Sequence, residues 1–199
     1  MKSLSLIASL LAITATACSQ DANPAAPSAG TAAAPAFAIG SATAADTMRA
    51  AAAPASLLAA VRQATAKYHD VDKAIADGFL PPSADECVEV PGLGGMGIHS
   101  VNPALASDLT VDPTKPELLL YAPKNGGGFK LVGVEWFVPI ADPSNPPPQP
   151  MLFGQGFDGP MPGHEPGQPW HYDLHVWTWE PNPSGMFAQF NPNVSCSTN

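Results

Sequence analysis

The sequence predicts an α+β domain in which one long N-terminal helix packs on a mainly antiparallel β-sheet. Two observations indicate this fold. Apolar residues recur at three- and four-residue spacing within 56–78, and short β-rich segments separated by turns follow from residue 88 onward. The first pattern is typical of an amphipathic helix, and the second is typical of an antiparallel sheet. A chain of 199 residues is long enough for one such domain.

The predicted helix begins at Ser56, a residue type that often caps helix N-termini. It ends at Gly78, and the following Pro81-Pro82 pair prevents its continuation. Its apolar stripe consists of Leu57, Val61, Ala64, Tyr68, Val71 and Ile75. We expect this stripe to face the sheet and the polar residue His69 to face water.

Three segments predict the strands. Residues 117–122 and 129–140 are apolar, and the glycine-rich turn at 124–128 joins them as a hairpin. Residues 170–179 are dense in aromatic and β-branched residues, which favour strands. The Pro- and Gly-rich residues 141–169 predict a long irregular loop, and such loops often have a functional role.

The N-terminus predicts export. Residues 1–17 have a positive start, an apolar run too short to span a bilayer, and small residues at the end, which is the layout of a signal peptide. The end of this segment resembles a bacterial lipobox with Cys18 as the lipid-bearing residue. Ala15 stands where a lipobox usually has Leu, so cleavage by ordinary signal peptidase is the alternative. We therefore expect an outer-membrane lipoprotein anchored through Cys18, or else a periplasmic or secreted protein.

Composition and cysteine count limit the rest of the chain. Residues 18–55 are rich in Ala and Pro and predict a disordered tether, which leaves 56–199 as a single folded domain. The net charge is -9, and the eight Lys and Arg residues form no cluster, so nucleic acid is excluded as a partner. With Cys18 lipidated, Cys87 and Cys196 remain as a pair and predict a disulfide in an oxidising compartment.

Glu135 is the residue that points most directly to a site. It lies in an apolar strand, and an ionised carboxylate buried there without a partner is very costly. A metal ion, a histidine, a Lys or Arg, or several backbone donors would compensate its charge. Since Lys and Arg are scarce, a metal or a histidine is favoured. A hydrogen-bonded structural carboxylate is the alternative.

Histidines supply the other candidate ligands. His171, Asp173 and His175 share one face of a predicted strand, but residues four apart on a strand are separated by about 13 Å. His175 with Asp173, or His171 with Asp173, is therefore the combination that can reach one ion. The glycine-rich residues 91–99 end at His99, and we expect the glycines to let the backbone approach the site closely.

These residues predict one metal centre. His99, Glu135 and His175, with Asp173 or His171, offer nitrogen and oxygen ligands for a divalent Zn, Cu, Mn or Fe ion. Such a centre would serve metal sequestration or delivery in the cell envelope. The alternative is a metal-dependent enzyme in which the 141–169 loop closes over a small-molecule substrate and Glu135 is the general base. A third hypothesis is a non-catalytic interaction or ligand-binding domain with a buried polar network and no metal.

Five motifs in the second half of the chain resemble a family of small bacterial secreted proteins and lipoproteins of unknown function. They are Gly-Met-Gly-Ile-His at 95–99, Val-Glu-Trp-Phe-Val-Pro at 134–139, Leu-His-Val-Trp at 174–177, Asn-Pro-Ser-Gly-Met-Phe at 182–187 and Asn-Pro-Asn-Val-Ser-Cys at 191–196. The resemblance covers about residues 57–196. It implies the boundaries of a domain and no particular chemistry.

Overall fold

The computed structural model describes residues 44–164 and 167–197, with side chains described from residue 55 onward. All of these described residues belong to one compact unit. The predicted signal peptide and lipidation site, at 1–18, lie outside the described residues. In the described ranges, no helix is both long and apolar enough to cross a membrane.

Helical segments precede the sheet, and one short helix lies between two of its strands. The α-helices of the described chain are α1 (Ala44–Thr65), α2 (Val71–Ala76) and α3 (Pro103–Ala106). The 3-10 turns are Ala66–His69 and Ala84–Glu86. Helix α1 begins upstream of the predicted cap at Ser56 and runs through Pro54.

The single helix predicted over 56–78 is wrong. The backbone becomes extended at Asp70 (φ −95°, ψ 108°), whose side chain accepts a hydrogen bond from the Asp72 amide and caps α2. A short Asp side chain competes in this way with continued helical hydrogen bonding. Leu57 and Ile75, at the two ends of the predicted stripe, are 37% and 41% exposed. The helical period therefore continues across a real break in the helix.

The main element is a curled six-stranded antiparallel sheet, so the predicted α+β fold with one long helix is wrong. In chain order the strands are β1 (Val88–Val90), β2 (Gly94–Val101), β3 (Leu118–Pro123), β4 (Phe129–Pro139), β5 (Met151–Leu152), β6 (Gln155–Gly156), β7 (Asp158–Met161) and β8 (His171–Val176). Their order in the sheet is β1-β2-β3-β4-β8-β7, while β5 and β6 form a separate hairpin. The segment 141–169 thus contains a hairpin and an edge strand and is not wholly irregular.

The two faces of the sheet are covered differently. One face, which we call the core face, carries the main hydrophobic cluster, which includes Leu119, Tyr121, Val134, Trp136 and Leu174 together with Val61 and Ala74 of the helices. The opposite face, which we call the site face, carries a smaller cluster of Leu120, Ala122, Val132, Trp177 and Val194. Strand alternation places side chains on these two faces in turn.

The C-terminal segment is held against β2. A disulfide joins Cys87 to Cys196, as the sequence predicted. The Asn191 backbone pairs with Gly95, and a Cβ atom at Gly94 would lie 2.2 Å from the Asn191 carbonyl oxygen. The glycines of the predicted motif therefore allow a close approach of the C-terminal segment to β2, the strand that carries His99.

Candidate metal centre

Three side chains from three strands meet on the site face. His99 lies on β2, Glu135 on β4 and His175 on β8. Glu135 is directly opposite His175 in the β4–β8 register and opposite Leu118 in the β3–β4 register. Because cross-strand partners point to the same face, the register brings the carboxylate and the imidazole together. His99 reaches them from across β3.

The three ligand atoms form a nearly equilateral triangle. His99 Nε2 lies 3.3 Å from His175 Nε2 and 3.3 Å from Glu135 Oε2, and His175 Nε2 lies 3.6 Å from the same oxygen. A point equidistant from the three atoms is about 2.0 Å from each, which is the usual length of a zinc–nitrogen or zinc–oxygen bond. The His99, Glu135 and His175 group could therefore hold a metal ion.

Burial keeps the two imidazoles neutral. The side chain of His175 is fully buried and that of His99 is 22% exposed. Burial, with the charge of His175 second, lowers the pKa of His99 to about 3. Burial also lowers the pKa of His175 to about 4, although the charge of Asp173 acts against this. Neutral imidazole is the form that binds metal ions, so both side chains are in the required state at pH 7.

Glu135 is held in a site that disfavours its charge. Its side chain is 5% exposed, and its ion-pair partners in the described part of the chain are the two imidazoles. Burial raises the pKa of Glu135 well above its ordinary value, and the charges of Asp173 and Glu117 add to this rise. Its Oε2 atom is buried and has no hydrogen-bond partner among the residues that the structure describes. A divalent cation would supply the missing partner and favour the ionised form.

Asp173 and His171 lie beside the three ligands as a second pair. His171 Nε2 is 3.5 Å from Asp173 Oδ2, and both side chains are 1% exposed. His171 Nδ1 lies 3.0 Å from the Pro169 carbonyl oxygen, to which it can only donate. The structure thus brings together three of the five ligands proposed from the sequence and places the other two in an adjoining position on the site face.

Two further groups belong to the surroundings of the site. His164 is exposed, its ring lies 5.3 Å from that of His171, and its charge contributes to the lowered pKa of both His99 and His175. Glu117 was missed by the sequence analysis. It is 2% exposed, accepts a hydrogen bond from the Phe137 amide at 3.1 Å, and burial raises its pKa to about 8. Its position directly before the apolar run of β3 was the available signal.

The aromatic residues near the site do not all share one face. The Trp177 ring stacks 6.5 Å from the His175 ring and belongs to the site-face cluster. Trp179 instead donates a hydrogen bond to the Thr65 hydroxyl and packs edge-on against His69. Alternation along the strand predicted over 170–179 would place both tryptophans on the His175 face, but β8 ends at Val176 and the alternation stops there.

No family model, curated protein or solved structure matches this chain. The likeness to a family of small bacterial secreted proteins therefore stays a prediction from the motifs.

Proposed function

We propose that this chain binds one divalent metal ion through His99, Glu135 and His175. The observation that carries the proposal is the convergence of three ligand atoms, separated by 3.3–3.6 Å, in a largely buried position. The lowered pKa values of both imidazoles and the unpartnered Oε2 atom of Glu135 support it. Proton competition for the two nitrogens would be weak at pH 7.

Zinc fits this ligand set best among the metals considered. Bond lengths of about 2.0–2.1 Å in a tetrahedral site separate neighbouring ligand atoms by about 3.3–3.4 Å, close to the separations found here. Two imidazoles and one carboxylate are ordinary zinc ligands, whereas Mn favours oxygen-rich octahedral sites and Cu(II) favours square-planar ones. Fe(II) is the alternative metal for this site, because it also binds sets of two histidines and one carboxylate.

We further propose that the metal is bound outside the cytoplasm, for sequestration or delivery. The signal-peptide pattern of 1–17, the candidate lipidation site Cys18 and the Cys87–Cys196 disulfide support an envelope or secreted location. Fractionation of expressing cells tests this part. We expect the parent chain in the membrane fraction and Cys18→Ala in the soluble periplasmic fraction. A reduced parent chain in the cytoplasm would contradict it.

A metal-dependent enzyme is the second candidate, and one observation favours it. Three protein ligands leave one position of a tetrahedral ion for water or substrate, which is the arrangement of catalytic rather than structural zinc sites. Because Glu135 Oε2 is one of the three converging atoms, we assign this residue to metal binding and not to general-base catalysis.

Elemental analysis of the purified full chain tests metal binding. We expect roughly one zinc or iron ion per chain. His175→Gln should lose the metal because one of only three ligands is removed. His69→Gln is the matched control, since His69 is exposed and distant in sequence from all three ligands, and it should keep the metal.

Two results would contradict the proposal. One is a parent chain without stoichiometric metal whose thermal midpoint is unchanged when zinc, iron, copper or manganese is added. The other is equal metal content in the parent and His175→Gln chains. Either result would favour a buried polar network that binds no metal.

A further inference from the structure

Asp173 is a buried carboxylate, and one of its two oxygen atoms lacks a hydrogen-bond donor among the described residues. Its side chain is 1% exposed. The Oδ2 atom lies 3.5 Å from His171 Nε2, whereas the Oδ1 atom is buried without a hydrogen-bond partner. A buried acceptor without a donor is costly, so such an atom in a native protein calls for a partner, and the described residues do not supply one.

The position of Asp173 indicates where that partner would lie. Asp173 and His175 are consecutive same-face residues of β8, about 6.6 Å apart along the strand. Asp173 is also opposite Phe137 in the β4–β8 register, next to the Glu135–His175 pair on the site face. Its charge acts on His99, Glu135 and His175 alike. The carboxylate is thus beside the three converging ligand atoms without being one of them.

His171 fixes the orientation of this carboxylate. Its Nδ1 atom donates to the Pro169 carbonyl oxygen at 3.0 Å, and its ring stacks on that of Phe137 with centroids 4.7 Å apart. The imidazole therefore cannot turn without losing a hydrogen bond and a ring contact. His171 Nε2 lies 3.5 Å from Oδ2, and Oδ1, which has no hydrogen-bond partner among the described residues, is left to accept a bond from another molecule.

We propose that Asp173 is the hydrogen-bond acceptor for the molecule that occupies the open position of the metal. This inference rests on the proposed metal site and adds a substrate class to it. The favoured ligand has a metal-binding oxygen followed by an N–H or O–H donor, as in amides, hydroxamates and α-hydroxy acids. The oxygen binds the metal while the donor pairs with Asp173 Oδ1. Asp173 is a positioning and specificity residue in this arrangement.

Two probes that differ at one nitrogen, which carries either a hydrogen or a methyl group, test this assignment. Acetohydroxamic acid has an N–H group beside its metal-binding oxygens, and N-methylacetohydroxamic acid has a methyl group in its place. Both are titrated into the cobalt-loaded full chain, and binding is followed by the visible absorption of Co²⁺. We expect the N–H compound to bind about tenfold tighter, because only this compound can donate a hydrogen bond to the buried Oδ1 atom. This preference should disappear in Asp173→Ala.

Asp158→Ala is the matched control variant. Asp158 is opposite Asp173 in the β7–β8 register but is exposed, so its removal changes the charge of the same region without removing the buried acceptor. It should keep the tenfold preference. Asp173→Asn, which preserves the shape of the side chain and removes its charge, should reduce the preference and replaces Asp173→Ala if that variant does not fold.

The outcomes separate this inference from the metal site on which it rests. A parent chain that takes up no cobalt removes the proposed metal site. A cobalt-loaded parent chain that binds the two probes equally overturns only the role of Asp173. A preference that persists in Asp173→Ala and Asp173→Asn is due to the bulk of the methyl group and also overturns it. Loss of cobalt in both Asp173 variants would make Asp173 a ligand instead.

Discussion

The two faces of the sheet are built from the same strands but differ in whether their buried polar atoms have hydrogen-bond partners. On the core face, Trp136 is fully buried among apolar neighbours, and its Nε1 atom donates to the Asp112 carbonyl oxygen at 2.8 Å. On the site face, the adjacent residue Glu135 is just as deeply enclosed, yet its Oε2 atom has no hydrogen-bond partner. The buried polar atom of Trp136 on the core face thus has a protein partner, whereas the buried oxygen of Glu135 on the site face has none among the described residues. Stability should therefore depend on the core face and metal binding on the site face.

The largest expected effect tests the core face. Trp136→Ala should lower the free energy of unfolding by about 3–5 kcal/mol, because a large buried side chain is replaced by a cavity. Chemical denaturation with metal removed measures this change. Trp170→Ala is the control, because Trp170 is 40% exposed and its replacement should cost far less. Similar losses for both variants would contradict the description of the core.

The disulfide should have the next largest effect. The double variant Cys87→Ser, Cys196→Ser should lower the free energy of unfolding by about 2–5 kcal/mol, because the bond closes most of the domain and holds the C-terminal segment against β2. Denaturation of the parent chain with and without a reducing agent should give the same difference. A variant as stable as the oxidised parent would show that the segment is held by its other contacts.

Acid acts on the site face of the metal-free protein in two opposite directions. The folded-state pKa values of His99 and His175 lie at about 3 and 4, below the ordinary 6.5. As pH falls below about 6.5, the unfolded chain binds protons at these imidazoles that the folded chain does not bind, which lowers stability by up to about 1.4 kcal/mol per pH unit for each imidazole. The raised pKa values of Glu135 and Glu117 oppose this loss, because the folded chain holds protons there that the unfolded chain lacks above about pH 4.5. In unfolding measured from pH 7 to 5 with a chelator, His175→Gln should therefore gain stability relative to the parent chain as pH falls, whereas His69→Gln should follow the parent chain.

The smallest expected change in stability is that of Glu135→Gln, a variant in which stability and metal binding should change in opposite directions. Glu135→Gln should raise the stability of the metal-free protein at pH 7 by on the order of 1 kcal/mol. The raised folded-state pKa of Glu135 means that stability is lost as pH rises above about 4.5, and a neutral amide avoids this loss. The same variant should abolish metal binding. Glu86→Gln, at an exposed position, should change neither property, and a Glu135→Gln chain that still bound metal would contradict the ligand assignment.

Part of the site could be predicted from the sequence, because the energetic cost of burying a carboxylate in an apolar strand does not depend on how the strands are arranged. A carboxylate between Val134 and Trp136 stands out in a sequence, since burying it demands compensation wherever the strand lies. The four-residue spacing of His171 and His175 on a strand likewise predicts, without knowledge of the strand register, that the two imidazoles do not bind the same ion. The sequence named His99 and His175 as candidate co-ligands of Glu135, but it left Asp173 and His171 as further candidates. The choice among them depends on the antiparallel register that places His175 opposite Glu135, which is a tertiary property.

The helix and the aromatic strand show why the rest was missed. Apolar residues keep a helical spacing through the 3-10 turn and across Asp70, so periodicity alone hides the break that the Asp70 side chain causes. The strand predicted over 170–179 is shorter in the structure, because β8 ends at Val176 and Trp179 packs near α1. In both places the sequence pattern typical of a helix or a strand continues beyond the residue at which that element ends.

X-ray absorption spectroscopy of the zinc-loaded full chain tests the central claim most directly. Our account predicts one zinc ion per chain with nitrogen and oxygen neighbours at about 2.0–2.1 Å, imidazole scattering from two histidines and no sulfur neighbour. The imidazole signal should be lost together with the metal in His175→Gln. A spectrum with sulfur neighbours near about 2.3 Å, or with zinc surrounded by water alone, would contradict it.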